Sequence, residues 1–194
     1  MPIRSKWFTV VLLICLLLYG LVHAQPVAEF SLVNVVDGKT ISLNNFGKQP
    51  GVVIIFTSVT CPFDLSYQDR IRSMADTYAS RIPFLLVNAH TDADESAESM
   101  KKFAHDNNLK IPYLDDKQQV LMNSLSARRS PEAFVLKNSN GIFTIAYRGA
   151  IDDNPQVATD VSQPYLSQAI DDVLSGKTPA TRETRPAGCS IRRN

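Results

Sequence analysis

Two cysteines stand out as chemically useful side chains: Cys61, which follows an apolar run, and Cys189, which lies near the C-terminus. The β-branched run Val52 to Phe56 and the polar turn 57–60 precede Cys61, and Pro62 then opens a segment with helical periodicity. A cysteine in the first turn of a helix faces unpaired backbone N–H groups and the positive end of the helix dipole. Both favour thiolate over thiol, so the sequence predicts that Cys61 is a reactive nucleophile.

The N-terminus has the pattern of an export signal. Arg4 and Lys6 precede an apolar run of 16 residues, Trp7 to Val22, and Ala24 supplies the small residue of a cleavage site. The run is shorter than the ~20 residues that a spanning helix needs, which favours a cleaved signal over the alternative of an uncleaved membrane anchor. We predict a signal peptide over residues 1–24, a periplasmic or secreted protein after cleavage near Ala24, and no stable membrane association thereafter.

Cleavage at this point would remove Cys15 and leave Cys61 and Cys189 as a pair. An even number of cysteines in an exported protein makes a disulfide between them plausible. Because the two positions are 128 residues apart, closing that loop would contribute ~4–5 kcal/mol of stability. The pair could therefore be structural, catalytic or both.

Composition excludes several other kinds of function. The 194 residues carry a net charge of +1 and are 44% hydrophobic, which is ordinary for a globular domain and gives no sign of a nucleic-acid partner. The chain has no Gly-rich phosphate loop, Gly-x-Ser-x-Gly elbow or His-Glu-x-x-His run. His90, in a loop, and His105, on a polar helix face, are not placed as metal ligands, so we expect neither a cofactor nor a metal.

The apolar patterns predict one domain over residues 25–176, followed by a tail, 177–194, that has no apolar repeat of its own. The predicted order is a hairpin, then β-α-β-α-α-β-β-α. Alternation of strands and helices implies parallel strands, and the late hairpin adds antiparallel ones. The acidic run Asp92 to Glu95 is interpreted as the cap of the second helix.

Five pieces of sequence together carry a family resemblance: NVVDGKTISL, FTSVTCPF, Ser130-Pro131, FVLKNSNGIFTIAYRGAIDDN and the tail segment Gly188-Cys189-Ser190-Ile191. With them the chain resembles the redoxin family, the group of alkyl hydroperoxide reductase and thiol-specific antioxidant proteins, and in its tail an exported subset of thioredoxin-like proteins. The resemblance implies an α/β, thioredoxin-like fold: a mixed central sheet flanked by helices, with an N-terminal β-hairpin and a C-terminal tail.

The resemblance also implies a set of site residues around Cys61. Pro131 corresponds to a cis-proline that faces the cysteine. Ser58 takes the place of a threonine whose hydroxyl orients a peroxide, and Arg129 is the best candidate for the arginine beside the thiolate, with Arg128 and Arg148 behind it. The second cysteine of thioredoxins is replaced by Asp64. A carboxylate there could relay protons, but as a like charge it would disfavour a nearby thiolate, so we favour the alternative of a first-turn acidic residue that stabilises the helix dipole.

The function that the resemblance implies is a thiol-dependent oxidoreductase with peroxiredoxin-like, antioxidant activity. Cys61 would attack a peroxide or a protein disulfide, Cys189 would resolve the product, and an external thiol would be the reductant. In a second interpretation the external thiol resolves Cys61 directly. In a third, the domain is a non-enzymatic binding module stapled by a structural Cys61–Cys189 disulfide.

Overall fold

The computed structural model describes residues 25–194, and the predicted signal peptide, residues 1–24, lies outside the described residues. The strands are β1 (Ser31–Asn34), β2 (Thr40–Ser42), β3 (Gly51–Phe56), β4 (Phe84–Asn88), β5 (Tyr113–Asp115), β6 (Arg129–Ser130), β7 (Glu132–Ser139), β8 (Ile142–Gly149) and β9 (Cys189–Ser190). Seven of them form one sheet in the order β2-β1-β5-β4-β3-β7-β8. β3, β4 and β5 are parallel to one another, whereas the pairs β1–β2, β1–β5, β3–β7 and β7–β8 are antiparallel.

Helices cover both faces of this sheet. They are α1 (Pro62–Tyr78), α2 (Ala97–Asp106), α3 (Val120–Leu125) and α4 (Tyr165–Leu174). Side chains alternate between faces along a strand, so Val53 and Ile55 pack in the core layer of α1, α2 and α4. Val52, Ile54 and Phe56 pack in the opposite layer with α3. The predicted mixed sheet flanked by helices is confirmed. Within residues 25–194, no helix is long and apolar enough to cross a bilayer.

The first helix begins where the sequence predicts and buries most of the expected apolar face, with Leu65 as the exception. Pro62 is its first residue and Cys61 its N-cap. Leu65, which the apolar pattern groups with Ile71 and Tyr78 on the inward face, is 48% exposed, whereas Asp64 is buried. The buried stripe runs through Asp64, Tyr67, Ile71, Ala75 and Tyr78. Those positions are three or four residues apart and share one helix face, which Leu65 does not.

The loop after β8 is fixed to α1 by the family segment Asp152-Asp153-Asn154, for which the sequence offered no physical role. The Asp152 carboxylate accepts a hydrogen bond from the Tyr67 hydroxyl at 2.8 Å and pairs with the Arg70 guanidinium at 2.7 Å. Asp153 accepts from the backbone N–H of Ser162, 3.0 Å away. The segment therefore anchors a loop whose regular structure is one short 3-10 helix, Ala158–Asp160.

The C-terminal tail is docked along the domain although its sequence shows no periodicity. The Thr184 N–H donates to the Arg148 carbonyl at 3.1 Å, and the Thr184 hydroxyl accepts from the Ala150 N–H at 2.9 Å. Gly149, between them, has φ +138°, and a Cβ at this position would overlap Thr184. Ile191 then inserts its side chain into the core layer of α3. The tail is thus part of the folded unit.

Candidate active site at the Cys61–Cys189 disulfide

Cys61 and Cys189 are joined by a disulfide bond. Their Cα atoms are 6.0 Å apart across a sequence separation of 128 residues, which is an ordinary distance for a disulfide. Cys61 is buried, with 3% of its surface exposed, whereas Cys189 is only partly buried. The predicted pairing is therefore present, and the side of the bond that faces solvent is the Cys189 side.

A short two-stranded ladder brings the tail cysteine to Cys61. β9 pairs antiparallel with β6, so that Cys189 lies opposite Ser130. The Ser130–Pro131 peptide bond is cis, as the resemblance implied. The Cys61 Sγ lies 3.5 Å from the Ser130 carbonyl oxygen. A Cβ at Gly188 would overlap that same carbonyl, so the residue before Cys189 must be glycine for the tail to approach this closely.

The Ser58 hydroxyl holds the loop that ends at Cys61. Its Oγ accepts hydrogen bonds from the Cys61 N–H at 2.9 Å and from the Thr60 N–H at 3.1 Å. The hydroxyl itself donates to the Glu95 carboxylate. In this disulfide-bonded state the Ser58 hydroxyl therefore fixes the backbone of the loop that ends at Cys61.

Glu95 lies beneath this loop and is a site residue that the sequence analysis missed. Its carboxylate is 1% exposed and accepts from the Thr60 hydroxyl at 2.7 Å and from the Val59 N–H at 3.0 Å. On its other side the Asn88 amide donates at 2.6 Å. Burial alone would raise the pKa of Glu95, but these hydrogen bonds stabilise the charged form and lower the pKa to about 2.

The interpretation of Asp92 to Glu95 as a helix cap is therefore wrong for Glu95. Helix α2 is capped by Ser96, whose hydroxyl accepts from the Ser99 N–H at 3.2 Å. An acidic run before a helix is typical of a cap, and nothing in the sequence separates Glu95 from its acidic neighbours. Only the parallel packing of β4 against β3 places it under the Cys61 loop.

The three candidate arginines lie on the tail side of the disulfide. The Arg129 guanidinium donates to the Gly188 carbonyl at 2.7 Å, and Arg148 pairs with Glu183 of the tail at 2.6 Å. Arg128 is exposed, and its carbonyl accepts from the Ile191 N–H at 2.9 Å. While the bond is closed, Arg129 therefore holds the segment that carries Cys189.

Asp64, interpreted from the sequence as a charged residue at the helix dipole, is only 4% exposed. Among the residues that the structure describes, neither of its carboxyl oxygens has a hydrogen-bond partner. Burial raises the pKa of Asp64 well above its usual value, and the nearby Glu95 charge adds to this. The Ser130 hydroxyl and the Ser58 backbone, which lie nearby but outside hydrogen-bonding geometry, lower it only in part. The neutral acid is thus favoured, and a neutral group does not stabilise the helix dipole.

His90 contacts the site through the hydroxyl of Ser130. Its Nε2 lies 2.8 Å from the Ser130 Oγ, and burial lowers its pKa. His105 is exposed on α2. No cluster of three or more metal-ligating side chains occurs among residues 25–194.

Docking of the tail does not depend on the disulfide alone, and this can be tested. Ile191 is buried, and Gln119 binds the last residues by donating to the Arg192 carbonyl at 2.6 Å and accepting from the Asn194 N–H at 2.8 Å. We expect trypsin to cleave the tail of reduced Ile191→Ala protein at least ~10-fold faster than that of reduced wild-type protein. Truncating a buried isoleucine costs ~2–5 kcal/mol, and 1.4 kcal/mol is tenfold in a population.

The matched control for this experiment is Ile142→Ala, which truncates an isoleucine that is 56% exposed. Its tail should be cleaved at the wild-type rate. Equal cleavage of reduced wild-type and Ile191→Ala protein would mean that only the covalent bond holds the tail.

Comparisons with known proteins agree with this geometry. The sequence model of the AhpC/TSA family matches residues 24–153. An uncharacterized conserved protein from Geobacillus kaustophilus is 26% identical and superimposes with a TM-score of 0.79, over 88% of this chain and 92% of that one. A hypothetical protein from Sinorhizobium meliloti is 24% identical, with a TM-score of 0.78 over 90% and 96% of the two chains.

A third solved structure relates the fold to thioredoxins. The exposed lipoprotein thioredoxin of Streptococcus pneumoniae is 22% identical, with a TM-score of 0.53 over 61% of this chain and 87% of that one. No curated protein matches the chain. The architecture around Cys61 is therefore thioredoxin-like.

Proposed function

The chain belongs to the AhpC/TSA family, and from that premise we propose that it is a thiol-dependent oxidoreductase whose reacting groups are Cys61 and Cys189. The family supports a thiol-redox role, and the finer assignment is a peroxiredoxin-like, antioxidant activity. One observation carries the proposal: the disulfide joins a cysteine at a helix N-cap to a cysteine on the strand beside the cis-proline. A helix N-terminus lowers a thiol's pKa, so reduced Cys61 is set up as a nucleophile.

The oxidative half of the reaction uses both cysteines. The Cys61 thiolate attacks one peroxide oxygen, the O–O bond breaks, and the leaving oxygen takes a proton to become an alcohol or water. Cys61 is then a sulfenic acid, and the Cys189 thiol attacks its sulfur, which forms the disulfide and releases water. A protein disulfide in place of peroxide would give a mixed disulfide that Cys189 resolves in the same way.

The reductive half needs an external dithiol. Its thiolate attacks the Cys189 sulfur, the more exposed of the two, and Cys61 leaves as a thiolate. The second thiol of the reductant then releases Cys189 and becomes a disulfide itself.

Three further residues are proposed to position these groups. Ser58 fixes the Cys61 amide, and Pro131 sets the strand that Cys189 pairs with. Arg129 binds the tail through Gly188 while the bond is closed. Once the tail moves, this guanidinium is available to the peroxide.

The rival proposal is a binding domain with a permanent staple, and the tail contacts that do not involve sulfur favour it. The distinction is thermodynamic, because a structural disulfide has a reduction potential below about −300 mV and a catalytic one is easier to reduce. Equilibration against defined ratios of reduced and oxidised dithiothreitol would measure this potential.

The test of the proposed function is a mass measurement. Fully reduced mature protein treated with one equivalent of hydrogen peroxide should lose two hydrogens and show a Cys61–Cys189 peptide link, which dithiothreitol then removes. If both thiols stay free, or only intermolecular links form, the pair is not a peroxide-driven redox couple. A resolving role for an external thiol alone would appear as unchanged turnover in Cys189→Ser.

We also propose where the protein acts and which molecules it reacts with. We propose that residues 1–24 direct the chain to the periplasm or the outside, where an oxidised pair is maintained. The related pneumococcal protein is described as an exposed lipoprotein. The proposed partners are a peroxide or a protein disulfide and an external thiol reductant, with no nucleic acid and no stable membrane contact after cleavage.

A further inference from the structure

Asp64 is buried in the first turn of the helix that Cys61 begins. Cys61 is the N-cap of α1, and Asp64 is the third helical residue. A side chain at this third position reaches back toward the N-cap residue, as it does in a capping box. Both residues are buried. A carboxyl group without a protein partner therefore occupies the same desolvated turn as the Cys61 sulfur.

A small cavity adjoins the carboxyl group on the side away from the tail. It has a volume of about 30 Å³, and its polar lining consists of Thr57, Ser58, Asp64, Gln68, Arg72 and Asn107. The Thr57 hydroxyl on its wall also lacks a partner among residues 25–194. Because a water needs ~10–15 Å³ and two or more polar partners, the cavity has room for about two waters.

The lining of the cavity runs from this buried end toward the surface. Asp64, Gln68 and Arg72 lie one helical turn apart on α1, and Gln68 and Arg72 are partly exposed. Asn107, on the opposite wall, is also partly exposed. The polar row along α1 thus leads from the interior toward solvent without passing the disulfide.

We infer that the Asp64 carboxyl exchanges a proton with the Cys61 sulfur when the disulfide opens and closes, and that water in the adjoining cavity returns that proton to solvent. The inference rests on the proposed function, because it needs a disulfide that turns over. Its ground is geometric: the sulfur that leaves is buried, and the neighbouring group able to supply a proton is an unpartnered acid beside a polar cavity.

A reductant thiolate attacks the Cys189 sulfur, the S–S bond breaks with its electron pair on Cys61, and the Cys61 sulfur takes the Asp64 proton. Asp64 becomes a carboxylate and recovers a proton through the cavity. In the oxidative direction Asp64 first releases this proton to water in the cavity, and its carboxylate then accepts the Cys61 proton and leaves the thiolate that attacks peroxide. The acid and the thiol then share a proton, so they titrate as a pair.

The charged and titratable groups around Asp64 come from several elements. Glu95, beneath the loop, repels its charge, and Tyr113 of β5 lies near enough for the two groups to influence each other. Arg72 faces the same cavity. His90 forms a hydrogen bond with the Ser130 hydroxyl, and this same hydroxyl lowers the pKa of Asp64. Burial raises the pKa of Asp64, which keeps the proton available at a pH where an exposed aspartate has lost it.

The experiment is the pH profile of disulfide opening by dithiothreitol, corrected for the thiolate fraction of the reagent. In wild-type protein the corrected rate should fall as pH rises through the Asp64 titration, since the acid loses the proton that the leaving sulfur needs. Asp64→Asn has the same shape and no ionisable proton. Its corrected rate should be nearly flat and, at the acidic end, lower than wild type by about 10²-fold, the lower end of general acid catalysis.

Asp76→Asn is the matched control, because Asp76 is exposed on the same helix, and it should reproduce the wild-type profile. An Asp64→Asn profile that keeps the wild-type step would overturn the inference while leaving the proposed function intact. If wild-type protein is not opened by dithiothreitol at any pH tested, the proposed function fails and the inference fails with it. The wild-type profile alone is informative, so the test does not depend on how well the variant folds.

Discussion

Cys61→Ser protein is expected to consume peroxide no faster than buffer does, a loss of roughly 10³-fold or more in turnover. The reason is chemical: a serine hydroxyl is a far weaker acid and nucleophile than a thiol, whose pKa a helix N-terminus lowers further. The assay is peroxide consumption by mature protein with dithiothreitol as reductant, followed over many turnovers and in the first turnover separately.

Cys189→Ser is the matched control for this prediction. Both substitutions remove the same cross-link, so both should lose the ~4–5 kcal/mol that closing a 128-residue loop contributes. They should differ in the first turnover, because Cys189→Ser retains the nucleophile and should consume one equivalent of peroxide to give a sulfenic acid at Cys61. Peroxide consumption by Cys61→Ser at the wild-type rate would show that Cys61 is not the nucleophile and would favour the stapled binding domain.

The position of the proposed nucleophile at a helix N-terminus could be predicted because it depends on local sequence. An apolar β-branched run, a short polar turn and a cysteine followed by proline fix a strand, a loop and a helix N-terminus within about a dozen residues, and the structure has Cys61 as the N-cap. The pairing with Cys189 followed from counting cysteines after signal cleavage. Neither conclusion needed knowledge of how distant segments pack.

The residues that support the nucleophile could not be predicted because their roles are tertiary. Glu95 and Asp64 are both acidic residues near the start of a helix, where the local interpretation is an exposed cap or a dipole contact. Packing makes them different: Glu95 receives five hydrogen bonds and is charged, whereas Asp64 receives none and its neutral form is favoured. The burial of Ile191 could not be predicted either, because a single apolar residue in a polar tail shows no periodicity.

Glu95→Ala is expected to lower the free energy of unfolding at neutral pH by about 3–5 kcal/mol, the cost of removing one partner from a buried charged network. The substitution removes one acceptor from each of the Ser58 and Thr60 hydroxyls, two loop N–H groups and the Asn88 amide. Denaturant unfolding of reduced and oxidised protein would measure the loss. Glu98→Ala is the control, because Glu98 is exposed on the first turn of α2, and it should change stability by less than ~1 kcal/mol.

The pH dependence of stability separates the contribution of the Glu95 charge from the contribution of its side chain's size and shape. Its pKa is lowered from 4.5 to about 2 in the folded protein, so its carboxylate contributes about 3 kcal/mol that is fully present above the unfolded pKa. This contribution is lost as pH falls through the folded pKa, between about pH 5 and pH 2. Glu95→Gln keeps the size of the side chain and removes the ionisation, so its stability should lack this acidic decline. If Glu95→Gln and wild-type protein lose stability in parallel over that range, the carboxylate does not hold the Cys61 loop through its charge.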